Sequence, residues 1–224
     1  MSTKETMKAV GLYKYLNIAH SESLIDVEIE KPVPVGKDLL VKVKAISVNP
    51  VDTKVRAPKD KTEVSPRILG WDVAGVVEQT GPECTLFQPG DEVYYAGSIT
   101  RPGGNSEFHL VDERIVGTKP STLDFAQSAA LPLTAITAWE ALFDRLGVSQ
   151  NKDRNAGKVI LIIGAAGGVG SIATQLDEVC RPYGDRYGFS SRIDRLGEIN
   201  GSRSYHQPLQ FFRSSIERYR LTEC

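Results

Sequence analysis

Cysteine is scarce in this chain. Three thiols in 224 residues, Cys84, Cys180 and Cys224, are too few and too scattered for a disulfide framework, which suits a reducing compartment. Histidine is equally rare, with three residues that do not converge as metal ligands: His20 lies in a polar loop, His109 on an expected strand as a packed or edge residue, and His206 near the C-terminus. Neither sign of charge predominates, since 27 Lys and Arg against 28 Asp and Glu leave a formal net charge of −1. That balance lacks the field that draws nucleic acid or an anionic membrane. The longest apolar stretch, VILIIGAAGGVGSIA, is broken by glycines and falls short of the ~20 residues a spanning helix needs. The N-terminal MSTKETMKAVGLYKY has no apolar core of a secretory signal. The expectation is a cytoplasmic chain without nucleic-acid or membrane partners.

What is present is an ordinary globular composition, 41% hydrophobic and 25% charged. Residues 7–16, SLIDVEI at 24–30 and LLVKVKAISV alternate apolar with polar side chains, the period of half-buried strands. ILGWDVAGVVEQTG and FQPGDEVYYAG continue in that style between Pro and Gly turns, and SEFHLVDERIVGTKP adds an expected strand pair. At SAALPLTAITAWEALFDRLGV the apolar spacing becomes helical, with Gly147 just past the helix end. VILII then reads as a strand entering a glycine-rich turn. The fold class is therefore α/β with an N-terminal all-β lobe: residues 1–125 form the β lobe, 126–176 a linker helix and first βα unit, and 177–224 an aberrant or disordered tail.

That tail differs in composition. Residues 1–176 carry 13 Lys and 6 Arg, whereas the last 48 carry 8 Arg, no Lys and six serines, with seven acids near to balancing the arginines. A basic nucleic-acid arm does not fit. A disordered polar tail does, and so does a slipped reading frame near Leu176–Glu178. The codons for GDRYGF, displaced by one base, permit V-I-A-T-A-S, and the shift continues through Pro208 without a forbidden triplet, tracing a strand, a turn, a helix and a second strand.

The motif with chemistry is Ala165-Ala166-Gly167-Gly168-Val169-Gly170, an A-x-G-x-x-G turn behind an apolar strand and ahead of SIATQL. Gly167 lets the backbone approach a pyrophosphate, Gly170 allows close helix packing, and the helix N-terminus offers free N–H groups to the anion. Ala165, Gly167, Gly168, Val169 and Gly170 are the expected cofactor contacts. A tight βα turn with no ligand is the competing reading. The residue that would read the adenosine ribose belongs about 20 residues further on, within the tail.

AISVNPVDTKVR, ILGWDVAGVV, FQPGDEVYYAG, EFHLVDERIVG, AALPLTAITAWEALFDRLG and VILIIGAAGGVGS together resemble the zinc-type alcohol dehydrogenase-like proteins of the medium-chain dehydrogenase/reductase superfamily, near the quinone oxidoreductase branch. The resemblance covers residues 7–176. It implies a co-chaperonin-like β-barrel catalytic domain followed by a Rossmann domain, here incomplete. It further implies hydride transfer between NADP(H), preferred to NAD(H), and a small carbonyl or quinone, in a family whose members are often homo-oligomers. The zinc of the family name has no ligands here: the Cys and His of the metal-binding members are replaced by Asn49 and Trp71, with Asp72 following, so no metal residue is expected. Asn49, from VNPVD, is the candidate oxyanion donor and Thr137, from ITAW, a candidate neighbour of the nicotinamide; a structural role competes for each. Asp52 is expected to fix the Pro50 turn, and Trp71 with Tyr94 or Tyr95 either to line an apolar pocket or to fill core. A chain without the remaining Rossmann strands would be a non-catalytic remnant, which is the alternative function.

Overall fold

A computed structural model describes residues 5–180, and the proposed frame change and tail lie outside the described residues. Contacts divide the chain into two units, residues 1–133 and 134–224.

The first unit is built on antiparallel pairing. Strand β1 (Thr6–Tyr15) joins β2 (Ile25–Glu30) and β4 (Lys59–Ile68) in a three-stranded sheet ordered β2-β1-β4. Strands β3 (Asp38–Ser47), β5 (Asp72–Thr80), β6 (Glu92–Ala96), β7 (Phe108–Asp112) and β8 (Gly117–Thr118) form a second sheet ordered β7-β3-β5-β6-β8. Alternation in the sequence becomes facing in the sheet. Leu39, Val41, Val73, Val77, Val93, Tyr95 and Val111 make one apolar cluster, while Leu12, Tyr15, Leu69 and Trp71 make another, against Val51 and Val55. One strand is added here and one expectation changes. KDKTEVSPRI, which carries little apolar alternation, is strand β4 because β1 pairs with it across an irregular register. The expected strand pair in SEFHLVDERIVGTKP does not form, because a 3-10 turn at Glu113–Ile115 separates its halves, sending β7 to β3 and β8 to β6.

Gly75 sits beside a register irregularity between β3 and β5, where a Cβ would lie 2.4 Å from the Lys42 carbonyl oxygen and 2.7 Å from a Val41 methyl. Backbone cannot yield there as a side chain can. Gly75→Ala is expected to cost about 1–3 kcal/mol through overpacking, read as a lower urea midpoint with unchanged m.

His109 is packed, in line with its expected strand position. It is 4% exposed, with Nε2 2.9 Å from the Pro102 carbonyl oxygen and Nδ1 2.9 Å from the Tyr95 hydroxyl. A carbonyl only accepts, so Nε2 carries the proton and Tyr95 donates to Nδ1. Burial is the main cause that lowers the imidazole pKa from 6.5 to about 4. Because the unfolded chain then binds the extra proton, His109 favours folding above pH 6.5, and that contribution is lost as pH falls through 4. NMR nitrogen shifts of His109 are expected to hold the Nε2–H tautomer down to pH 5; titration near 6.5 would contradict the buried placement.

The helical region is broken rather than continuous. It comprises α2 (Phe125–Ala129), capped by Asp124 accepting from the Gln127 N–H, α3 (Pro132–Trp139) and a π-helical stretch Glu140–Arg145. Gly147 follows with φ 66°, as a helix-terminating glycine should. In the second unit, α4 (Gly168–Cys180) buries Ile172, Ala173, Leu176 and Cys180.

The expected strand VILII is not one. Among the described residues, 159–163 pair with no strand, and Val159, Leu161 and Ile163 are 93%, 82% and 87% exposed. A parallel strand depends on neighbours on both edges and cover on both faces, and the described residues supply neither.

Candidate active site

Asn49 closes strand β3's connection as the N-cap of helix α1 (Pro50–Arg56), with Pro50 at the first helical position, where its missing N–H costs nothing. The Asn49 N–H donates to Asp52 Oδ2 at 2.8 Å, and the Asp52 N–H returns a bond to the Asn49 carbonyl at 2.9 Å. The other Asp52 oxygen accepts from the Gly70 N–H at 2.9 Å. Asp52 therefore fixes the Pro50 turn, as expected, and ties it to the GWD segment. Gly70 can take this place because it has no Cβ: its φ is +87° and a side chain would meet Asn105.

Next in the chain, Trp71 is 2% and Tyr95 2% exposed, so both fill core. Tyr94 is half-buried on β6.

Asp72 is the residue that the sequence reading passes over. It is fully buried at the start of β5, and each of its oxygens has a defined partner. Oδ2 accepts from Asn49 Nδ2 at 2.8 Å, and Oδ1 accepts from the Leu133 N–H at 2.9 Å. Burial pushes its pKa from 3.8 to about 6; the bonds from Asn49 and Leu133 oppose that rise, and the Asp52 charge adds to it. One signal could have found it: an acid set inside the apolar run of WDVAGVV, where a carboxylate requires partners.

Asn49 is 8% exposed. One amide N–H is used on Asp72, and an asparagine amide carries a second. Thr137 lies on α3, exposed, in the second unit.

The glycine turn belongs to that unit also. Gly164 has φ 73°, its carbonyl accepts from the Gly167 N–H at 2.9 Å, and α4 begins with the Ser171 N–H bonded to the Gly167 carbonyl. A Cβ on Gly170 would stand 2.2 Å from the Gly164 oxygen, so only glycine fits that position. Gly167, Gly168 and Val169 are exposed, and Ala165 is half-buried. An exposed turn leading into a helix N-terminus fits the pyrophosphate of a dinucleotide.

The alcohol dehydrogenase GroES-like domain model matches residues 36–126. A zinc-type alcohol dehydrogenase-like protein of Staphylococcus aureus (strain Mu50) is 48% identical over 170 residues, 76% of this chain and 50% of that protein. Over these residues the chain is similar to the zinc-type alcohol dehydrogenase-like proteins. It spans about half the length of the curated relatives it matches. The 2-methylene-furan-3-one reductase of Solanum lycopersicum is 40% identical over 186 residues, 79% of this chain and 45% of that enzyme. The crystal structure of the quinone oxidoreductase of Coxiella burnetii superposes with a TM-score of 0.67 at 26% identity, over 91% of this chain and 63% of that one. The all-β lobe thus carries the GroES-like domain of these relatives, which are named as oxidoreductases.

Zinc is in these relatives' name, and Asn49 and Trp71 do not fit it. Among the described residues no three His, Cys, Asp or Glu side chains are grouped to hold a metal. Asn49 presents its amide nitrogen to a carboxylate, and the Trp71 indole N–H donates toward the Arg101 carbonyl at 3.4 Å. Neither is the thiolate or imidazole that a tetrahedral zinc site takes.

Proposed function

We propose that this site serves metal-free hydride transfer from NAD(P)H, with NADP(H) preferred, to a quinone or an α,β-unsaturated carbonyl. The observation that carries the reading is the Asn49 amide, held at the N-cap of α1 and donating one of its two N–H groups to Asp72. Hydride added to a conjugated acceptor generates a delocalised enolate or hydroquinone anion, whose oxygen a fixed hydrogen-bond donor can stabilise without a Lewis acid. Asn49 would supply that bond. Gly167–Gly170 would hold the pyrophosphate through backbone N–H groups, and Thr137 would stand beside the nicotinamide. The cofactor supplies the hydride, and the protein supplies placement. The relatives named as a furanone reductase and a quinone oxidoreductase support this acceptor class.

A second reading applies to the 224-residue chain itself: a remnant with little or no nucleotide binding. The exposure of Val159, Leu161 and Ile163 favours it, since no sheet edge adjoins the glycine turn among the described residues. Sequencing the gene across codons 174–180 tests the slipped frame. If the shifted frame continues as α/β sequence, its product is expected to oxidise NADPH with duroquinone or an enone, prefer these to an isolated ketone, and retain activity after dialysis against a chelator. Activity that is lost to chelation and restored by zinc would overturn the metal-free mechanism.

A further inference from the structure

We propose that Asp72 is the positioning residue of this site, its buried carboxylate setting which edge of the Asn49 carboxamide an incoming oxygen meets. The inference deepens the reading of Asn49 as the oxyanion donor and rests on it.

An amide side chain can turn over and exchange its oxygen for its nitrogen at little cost unless a neighbour distinguishes them. An ionised carboxylate distinguishes them completely, because it accepts and never donates. With Asp72 Oδ2 at 2.8 Å, the Asn49 nitrogen must face Asp72, and the planar amide then points its second N–H in a fixed direction. The Asn49 backbone is clamped independently by Asp52, so two carboxylates hold one residue, one through its main chain and one through its side chain. Asp52 performs its task at a helix cap, where a carboxylate is ordinary. Asp72 is wholly buried, where a charge is retained at a cost. Its other oxygen takes the Leu133 N–H near the start of α3, so a structural purpose exists as well, and the test must separate the two.

Protonation supplies the separation. A neutral Asp72 gains an O–H donor, and the Asn49 oxygen then becomes an acceptable partner, which releases the amide to turn. The groups that face Asp72 are Asn49 and Asp52 from α1 and the Leu133 N–H from α3; among them Asp52 is the titratable one, and its charge favours the neutral form of Asp72.

The experiment is an NMR pH titration of the full 224-residue chain and of its Asp72→Asn variant, following the Asn49 Nδ2 protons and the Leu133 N–H. In the native chain both are expected to titrate together with a midpoint near pH 6, the Asn49 Nδ2 proton bonded to Asp72 moving upfield below the midpoint as the ionised acceptor is lost. In Asp72→Asn the titration disappears from both. If Leu133 titrates while the Asn49 Nδ2 protons stay unaffected, Asp72 is a helix tie alone and the proposal is overturned. Duroquinone, added at pH 8, tests the donor reading separately. If the second Nδ2 proton does not shift while the Asp72 titration persists, the positioning stands and the acceptor-binding role of Asn49 falls.

Discussion

Titrated with NADPH up to millimolar concentration, the purified 224-residue chain is expected to show no saturable binding and no quinone-dependent oxidation. The glycine turn by itself does not supply the affinity. In open α/β sheets the nucleotide lies in a crevice at the carboxyl ends of parallel strands, so the turn works only when its strand is anchored. Here residues 159–163 form no regular structure, are unpaired among the described residues and are mostly exposed. Ordering five such residues costs about 5–10 kcal/mol at ~1–2 kcal/mol each. A micromolar complex has a total of about 8 kcal/mol, so the ordering cost consumes most or all of it. Amide exchange across Val159–Ile163 is expected to be as fast as in a free peptide, with or without cofactor. Micromolar saturation by NADPH with steady turnover would falsify this reading.

Asp72→Asn is expected to raise stability at pH 7.5 while removing the amide orientation that the proposed chemistry requires. The folded pKa of about 6 lies above the ordinary 3.8, so between these values the native state binds the extra proton. Asp72 therefore leaves stability undiminished below pH 3.8, reduces it progressively as pH rises through 6, and holds it at its lowest above that. The displacement corresponds to about 3 kcal/mol at ~1.4 kcal/mol per pH unit. Asparagine keeps an oxygen for the Leu133 N–H and turns its own N–H toward Asn49, whose amide oxygen can accept once that amide has turned, so the hydrogen bonds survive without the buried charge. The difference between variant and native chain in denaturant unfolding should approach 3 kcal/mol at pH 7.5 and vanish near pH 4. His109 pulls native stability in the opposite direction over the same range, but it is common to both proteins and cancels in the difference. A variant less stable at every pH would show that the ionised carboxylate contributes more than its burial costs.

These two residues mark how far the sequence is legible. The strands of the first unit are local patterns, since period-two alternation in LLVKVKAISV and DVAGVV is the direct imprint of one buried face. Gly147 and the A-x-G-x-x-G turn are legible for the same reason, because a positive φ or a missing Cβ restricts residue type where it occurs. The family, too, follows from short motifs that stand in order along residues 7–176. β4 was not legible, because its side chains alternate weakly and its pairing with β1 is set by a partner more than forty residues away. Asp72 was not legible because its meaning is its neighbours: Asn49 is 23 positions earlier and Leu133 61 positions later.

By itself, then, the sequence determined the alternating strands of the first unit, where glycine is required, and the resemblance to the zinc-type alcohol dehydrogenase-like proteins. Only the tertiary structure decided that Asn49 is held by two carboxylates, that His109 is a neutral core residue, and that VILII has no sheet to join among the described residues. The physical reason is the same in each case: local preference and periodicity act over a few residues, whereas burial, pKa and hydrogen-bond partners depend on segments brought together from far along the chain.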